Sequence, residues 1–117
     1  MVLQDGLRPA LADESFDVVL VDAPCSNSGV LGRRPEARWR YLPKTLTQLA
    51  TLQRRLLLAA SSLVRLDGRL IYSTCSVTPS ENQGIAHCLD GWRILKEQRT
   101  WPDKWQAGGY VAVLVRI

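Results

Sequence analysis

Apolar positions change their spacing several times along the chain, and the order of the changes predicts a fold. Residues 1–15 are irregular and read as loop. Phe16-Asp17-Val18-Val19-Leu20-Val21-Asp22 is a short, nearly continuous apolar run, the pattern of a strand covered on both faces, as parallel strands are. Ala23-Pro24 ends its ladder. From Cys25 to about Pro43 the chain is polar and contains glycine, which predicts a long loop. Between Lys44 and Arg65, Leu49, Leu52, Leu56, Ala59, Ala60 and Leu63 recur at three- and four-residue spacing, with Gln48, Thr51, Arg54, Arg55 and Ser62 on the other face. That predicts an amphipathic helix of about five to six turns. Leu66-Asp67-Gly68 supplies a stop and a turn, and Arg69–Ser73 reads as the next buried strand.

A strand-helix-strand unit pairs its strands in parallel through a right-handed crossover, so both strands end on the same edge of the sheet. Ligand sites of open α/β sheets collect on that edge. Cys25 and Cys75, 50 positions apart, each lie just past one of those ends. The topology therefore predicts that both thiols face one pocket. Downstream, Thr78-Pro79-Ser80-Glu81 has the form of a capping box and predicts a helix to about Leu89, its positive end directed at Cys75. Trp92–Gln98 and Tyr110–Ile117 read as two further strands, with Gly108-Gly109 as the turn before the second.

The 117 residues, 46% apolar and 22% charged, bound the chain at one soluble domain. No run approaches the roughly 18 apolar residues of a membrane span, and the N-terminus lacks an export signal. Three cysteines without a CxxC pair do not make a secreted disulfide framework, which points to a reducing, cytoplasmic setting. They lack metal-ligand spacing as well, so Cys88 beside His87 reads as core and no metal site is expected. The net charge of +4 is carried mostly by arginine. Arg33, Arg34, Arg38 and Arg40 surround Trp39, a composition suited to phosphate contact and base stacking. Trp92, Trp101 and Trp105 read as packing residues.

Two segments, Asp22-Ala23-Pro24-Cys25-Ser26-Asn27-Ser28-Gly29 and Tyr72-Ser73-Thr74-Cys75-Ser76-Val77-Thr78-Pro79-Ser80-Glu81-Asn82, together resemble the RNA cytosine-5 methyltransferases of the Fmu/Sun family. Val30–Arg40 and the Gly109-Tyr110-Val111-Ala112 stretch extend the likeness over nearly the whole chain. The resemblance implies a Rossmann-like class I methyltransferase fold, a member of the α/β class, using S-adenosylmethionine on RNA, ribosomal RNA before transfer RNA. It implies that Cys75 attacks carbon 6 of cytosine, that Cys25 helps remove the carbon-5 proton or release the product, and that Asp22 orients the base beside the cofactor. Pro24 would shape the turn there. Arg33, Arg34, Arg38, Trp39 and Arg40 would contact the RNA. Asn27 stands where the family often has glycine, a minor departure because asparagine also tolerates left-handed geometry.

No GxGxxG-like segment occurs, and the acidic residue that follows the second strand of such folds is missing. Asp5-Gly6 is the one match to the family's adenine-contacting aspartate. The expectation is the C-terminal half of a catalytic domain, which alone binds cofactor poorly and leaves Val18–Val21 on an uncovered edge open to self-association. Two other readings remain at this point: a non-catalytic RNA-binding or assembly module, and a thiol redox protein using Cys25 and Cys75.

Overall fold

A computed structural model describes all 117 residues. The elements run β1 (Phe16–Asp22), a 3-10 helix (Pro35–Arg40), α1 (Pro43–Ser61), β2 (Val64–Thr74), α2 (Gln83–Ala86), β3 (Trp92–Thr100) and β4 (Gly109–Arg116). They build one sheet in the order β1-β2-β4-β3. As the strand-helix-strand pattern predicts, β1 and β2 are parallel, with Asp22 opposite Ser73 at their C-terminal ends. The last strand inserts antiparallel between β2 and β3.

Four predicted elements change, each for a local reason. Helix α1 starts at Pro43, whose fixed φ and missing N–H suit the first helical position, and stops at Ser61 rather than Arg65. Val64 is already paired with Phe16. Leu66-Asp67-Gly68 is then an irregularity inside β2 rather than a turn before it, with Asp67 in the left-handed region at φ 64°. The predicted loop 25–43 contains the 3-10 helix opened by Pro35. Finally, Thr78–Leu89 is not one helix. Its first residues form turns, and only Gln83–Ala86 is helical. The carboxylate of Glu81 is wholly buried, so it does not reach back to cap Thr78, whose N–H goes to Ser76 Oγ at 3.0 Å. A four-residue helix cannot supply the dipole expected at Cys75.

The core lies on one face of the sheet. Leu57 and Ala60 of α1, Ile85 and Ala86 of α2, and Leu70, Tyr72, Tyr110, Ala112 and Leu114 of the strands form one buried cluster. Full burial of each Leu or Ile side chain contributes roughly 1.5–3 kcal/mol before the cost of ordering it. The opposite face is not covered, contrary to the two-sided burial predicted for β1 and β2. Alternate residues Phe16, Val18 and Leu20 are exposed, whereas Val19 and Val21 pack against the core. Strand β1 is also a sheet edge, as expected. Among the tryptophans only Trp92 packs on the core. Trp101 and Trp105 are exposed, because the β3–β4 connection that carries them projects from the sheet. No helix is long and apolar enough to cross a membrane.

Candidate active site

The parallel pairing of β1 and β2 delivers two loops to one place. The ladder continues one residue past β1, with Ala23 N–H on Ser73 O at 2.9 Å, and the chains then diverge. Cys25 and Cys75, which follow, bring their sulfurs to 3.1 Å. Both are free thiols. Gly29 N–H donates to Cys75 O at 2.9 Å and locks the first loop against the second. Between them Asn27 turns the chain in the left-handed region at φ 59°, a conformation asparagine accepts. The neutral Cys75 thiol donates to Asn27 Oδ1 at 2.8 Å.

Beneath the thiols a buried carboxylate ties the two loops together. Glu81 Oε1 accepts Ser26 N–H at 2.8 Å and Gln53 Nε2–H at 3.1 Å. Its Oε2 accepts the hydroxyls of Ser26 at 2.6 Å and Ser76 at 2.5 Å. Ser26 and Ser76 each follow a cysteine, so one anion positions both. Gln53 also donates to Pro24 O at 2.8 Å, joining α1 to the same network. Asn82 completes it, accepting from Thr74 Oγ1 at 2.6 Å and donating to Ser76 O at 2.9 Å.

The sulfur contact divides the two thiols electrically. The hydrogen bond from Cys25, outweighing partial burial and the nearby Asp22 and Glu81 charges, lowers the pKa of Cys75 to about 7. That of Cys25 moves far upward, because its proton is held by the Cys75 sulfur and because it is itself partly buried. The contact therefore favours the proton on Cys25 and the negative charge on Cys75, which is about half ionised near pH 7.

Two open clefts meet at Cys75. One, of about 610 Å³, is lined by Asp22, Pro24, Cys25, Asn27 and Arg40. The other, of about 740 Å³, is lined by Asn27, Arg33, Arg34 and Glu36. Of the residues singled out in sequence, Asp22, Pro24, Cys25, Cys75, Arg33, Arg34 and Arg40 thus converge. Arg38 and Trp39 are exposed and line neither cleft. Asp22 accepts from Ser73 Oγ at 2.9 Å and also borders a third, mostly apolar slot of about 250 Å³ with Gly6, Pro9, Leu20 and Leu56. Asp5 lines none of these clefts and caps its own turn through Leu7 N–H at 2.9 Å. Its neighbour Gly6 is the residue that reaches the slot.

The sequence pattern missed Glu81, Gln53 and the two serines as parts of the site. One signal was present: Gln53 sits four residues from both Leu49 and Leu57, inside the apolar stripe of α1, and a polar residue there needs buried partners.

Known proteins are similar to this chain in sequence and in fold. Ribosomal RNA small subunit methyltransferase B of Proteus mirabilis is 33% identical over 117 residues, covering 95% of this chain and 28% of that protein. Ribosomal RNA small subunit methyltransferase F of Shigella dysenteriae is 42% identical over 94 residues, covering 80% of this chain and 18% of that protein. Among solved structures, NSun6 from Pyrococcus horikoshii with SFG superposes with a TM-score of 0.86 at 29% identity, covering 98% of this chain and 34% of that one. PH0851 gives 0.81 at 34% identity, covering 89% of this chain and 27% of that one. The chain spans about a fifth of the length of the curated relatives it matches. The family model for 16S rRNA methyltransferase RsmB/F matches residues 2–108, a stretch that contains both cysteine loops and three of the four strands. The chain belongs to that family, and its four-stranded sheet is part of a class I methyltransferase fold.

Proposed function

We propose that this chain is the chemistry-bearing part of an S-adenosylmethionine-dependent RNA cytosine-5 methyltransferase acting on ribosomal RNA. The observation that carries the reading is the pair of free thiols 3.1 Å apart in a cleft shared with Asp22, a contact that lowers the pKa of Cys75 and raises that of Cys25. Carbon 5 of cytosine is a poor nucleophile until something adds at carbon 6. The Cys75 thiolate is suited to that addition, forming a C–S bond as the ring's electron pair moves toward carbon 5. Asp22 faces the same cleft and has the acceptor capacity to hold the exocyclic amine or a protonated ring nitrogen.

S-Adenosylmethionine supplies the methyl group. The residues present fit one side of it: the apolar slot bordered by Pro9, Leu20 and Leu56, with the Asp22 carboxylate shared between slot and cysteine cleft. Pro24 lines the cysteine cleft, and Asp5 precedes Gly6, which borders the slot.

The proton inventory then gives Cys25 its role. While Cys75 is anionic, Cys25 keeps its proton. Once Cys75 is bonded to carbon its negative charge is gone, the hydrogen bond that held the Cys25 proton is lost, and Cys25 becomes the more acidic thiol. Its proton passes to solvent in the open cleft, and the resulting Cys25 thiolate takes the carbon-5 proton once the methyl group is in place, the electrons of that C–H bond restoring the ring as Cys75 leaves as a thiolate. Both sulfurs must stay reduced for this, which fits a reducing, cytoplasmic setting.

Cys75→Ser tests the reading against a module that only binds RNA. RNA in which target cytosines are replaced by 5-azacytosine should be captured covalently by the wild type and by Cys25→Ala. Cys75→Ser should bind the same RNA with unchanged affinity and capture none. Capture that persists in Cys75→Ser would remove Cys75 from the nucleophile's place.

A further inference from the structure

The connection between β3 and β4 is built unlike a loose surface loop. Asp103 Oδ1 accepts the backbone N–H groups of Trp105 at 2.7 Å and Gln106 at 2.8 Å, and Asp103 N–H returns to Gln106 O at 3.0 Å. This closed turn holds Trp105 outward, 81% exposed, with Lys104 Nζ 4.6 Å from its ring centroid. The end of the connection is welded to the cysteine loops. Gly108 N–H donates to Gly29 O at 2.7 Å, and Gly29 N–H to Cys75 O. A Cβ on Gly29 would stand 2.4 Å from Gly108 O and 2.7 Å from Cys75 O. Three backbones meet there with no room for a side chain.

Trp105 and Lys104 line a cleft of about 300 Å³ together with Val30 and Arg33. Val30 and Arg33 also line the cleft that contains Cys75 and Arg34. A track therefore leads from the exposed indole, past Arg33, to the thiolate. The carboxylate of Asp103 is turned onto backbone donors, and against the one other on the track, Glu36 in the Cys75 cleft, stand Lys104, Arg33 and Arg34, so the track presents an aromatic face and an excess of cations.

We propose that Trp105 and Lys104 form a nucleotide subsite that stacks a base of single-stranded RNA flanking the cytosine at Cys75, with Arg33 on the intervening phosphate. The subsite rests on the RNA methyltransferase reading for its substrate and adds the position of the neighbouring nucleotide. A rigid aromatic with an adjacent cation is the means by which proteins hold unpaired bases without reading their identity. The backbone weld matters because a stacked neighbour aids chemistry only if its distance from the thiolate is fixed.

Binding of a short fluorescein-labelled single-stranded RNA, followed by anisotropy at low salt, tests the subsite on wild type, Trp105→Ala and Trp105→Phe. The same RNA carrying 5-azacytosine reports covalent capture by Cys75. Loss of one base–aromatic stack should weaken binding about tenfold in Trp105→Ala. Trp105→Phe should restore most of the affinity, and capture at saturating RNA should be unchanged in both. Equal affinity of wild type and Trp105→Ala would overturn the proposal and assign the indole to a protein contact, while capture would leave the methyltransferase reading standing. Tryptophan-dependent binding without any capture would keep the subsite and remove the cytosine chemistry. Absence of RNA binding by the wild type would overturn both.

Discussion

Cys75 owes its lowered pKa to Cys25, 50 positions earlier in the chain, rather than to anything adjacent in sequence. With a pKa of about 7 it is half ionised at neutral pH, and the cause is the hydrogen bond from Cys25. Below that pH it is a thiol; above it, a thiolate. In Cys25→Ala the donor is gone, so the midpoint for alkylation of Cys75 should climb toward the ordinary thiol value of about 8.5. At pH 7 the rate should fall roughly tenfold, because far less thiolate is present. Site-resolved mass spectrometry after brief iodoacetamide treatment separates Cys75 from Cys25 and Cys88. A midpoint that stays near pH 7 in Cys25→Ala would show that the sulfur contact is not the cause. The helix expected after Thr78 to stabilise the thiolate is reduced to Gln83–Ala86, and residue-level pattern could not have revealed what holds Cys75 instead. Glu81 fits a capping box by spacing, yet Ser26 and Ser76, which claim its carboxylate, are 55 and 5 positions away.

Among the elements, the short α2 and the two cysteine loops depend on that same carboxylate. Glu81 is fully buried and accepts from Ser26 twice, from Ser76 and from Gln53. Removing an acceptor leaves each buried donor unpaired, at about 1–3 kcal/mol apiece when no water replaces it. Glu81→Ala should therefore destabilise the chain by about 3 kcal/mol or more, seen as a lower urea midpoint. Glu81→Gln keeps the volume but exchanges one acceptor oxygen for a donor facing other donors, so it should recover only part of the loss. Unfolding midpoints equal to wild type for both variants would mean that the loops are held by other contacts. Element types were legible because spacing encodes them: period three to four for α1, alternation in β4. Element ends were not, because Val64 leaves the helix for a strand partner, Phe16, that lies 48 residues earlier.

On the scale of the whole molecule, the sheet is finished on one face and bare on the other. Val18 is 53% and Leu20 61% exposed on an edge strand, an arrangement that favours pairing with another chain. Sedimentation velocity should show concentration-dependent association that Leu20→Lys suppresses, since a charge on that face opposes stacking and edge pairing. A wild type that stays monomeric at high concentration would contradict this. By itself the sequence determined the order of strand, helix and strand, the parallel pairing that follows from it, and the meeting of Cys25 with Cys75, because connection rules and side-chain period act locally. Only the tertiary structure decided that the sulfur contact lowers the pKa of Cys75 and raises that of Cys25, which carboxylate holds both loops, and that Trp105 stands exposed beside the site rather than packed inside. Those outcomes depend on how residues far apart in the chain are arranged in space, because hydrogen bonding and desolvation follow spatial geometry and burial rather than separation in sequence.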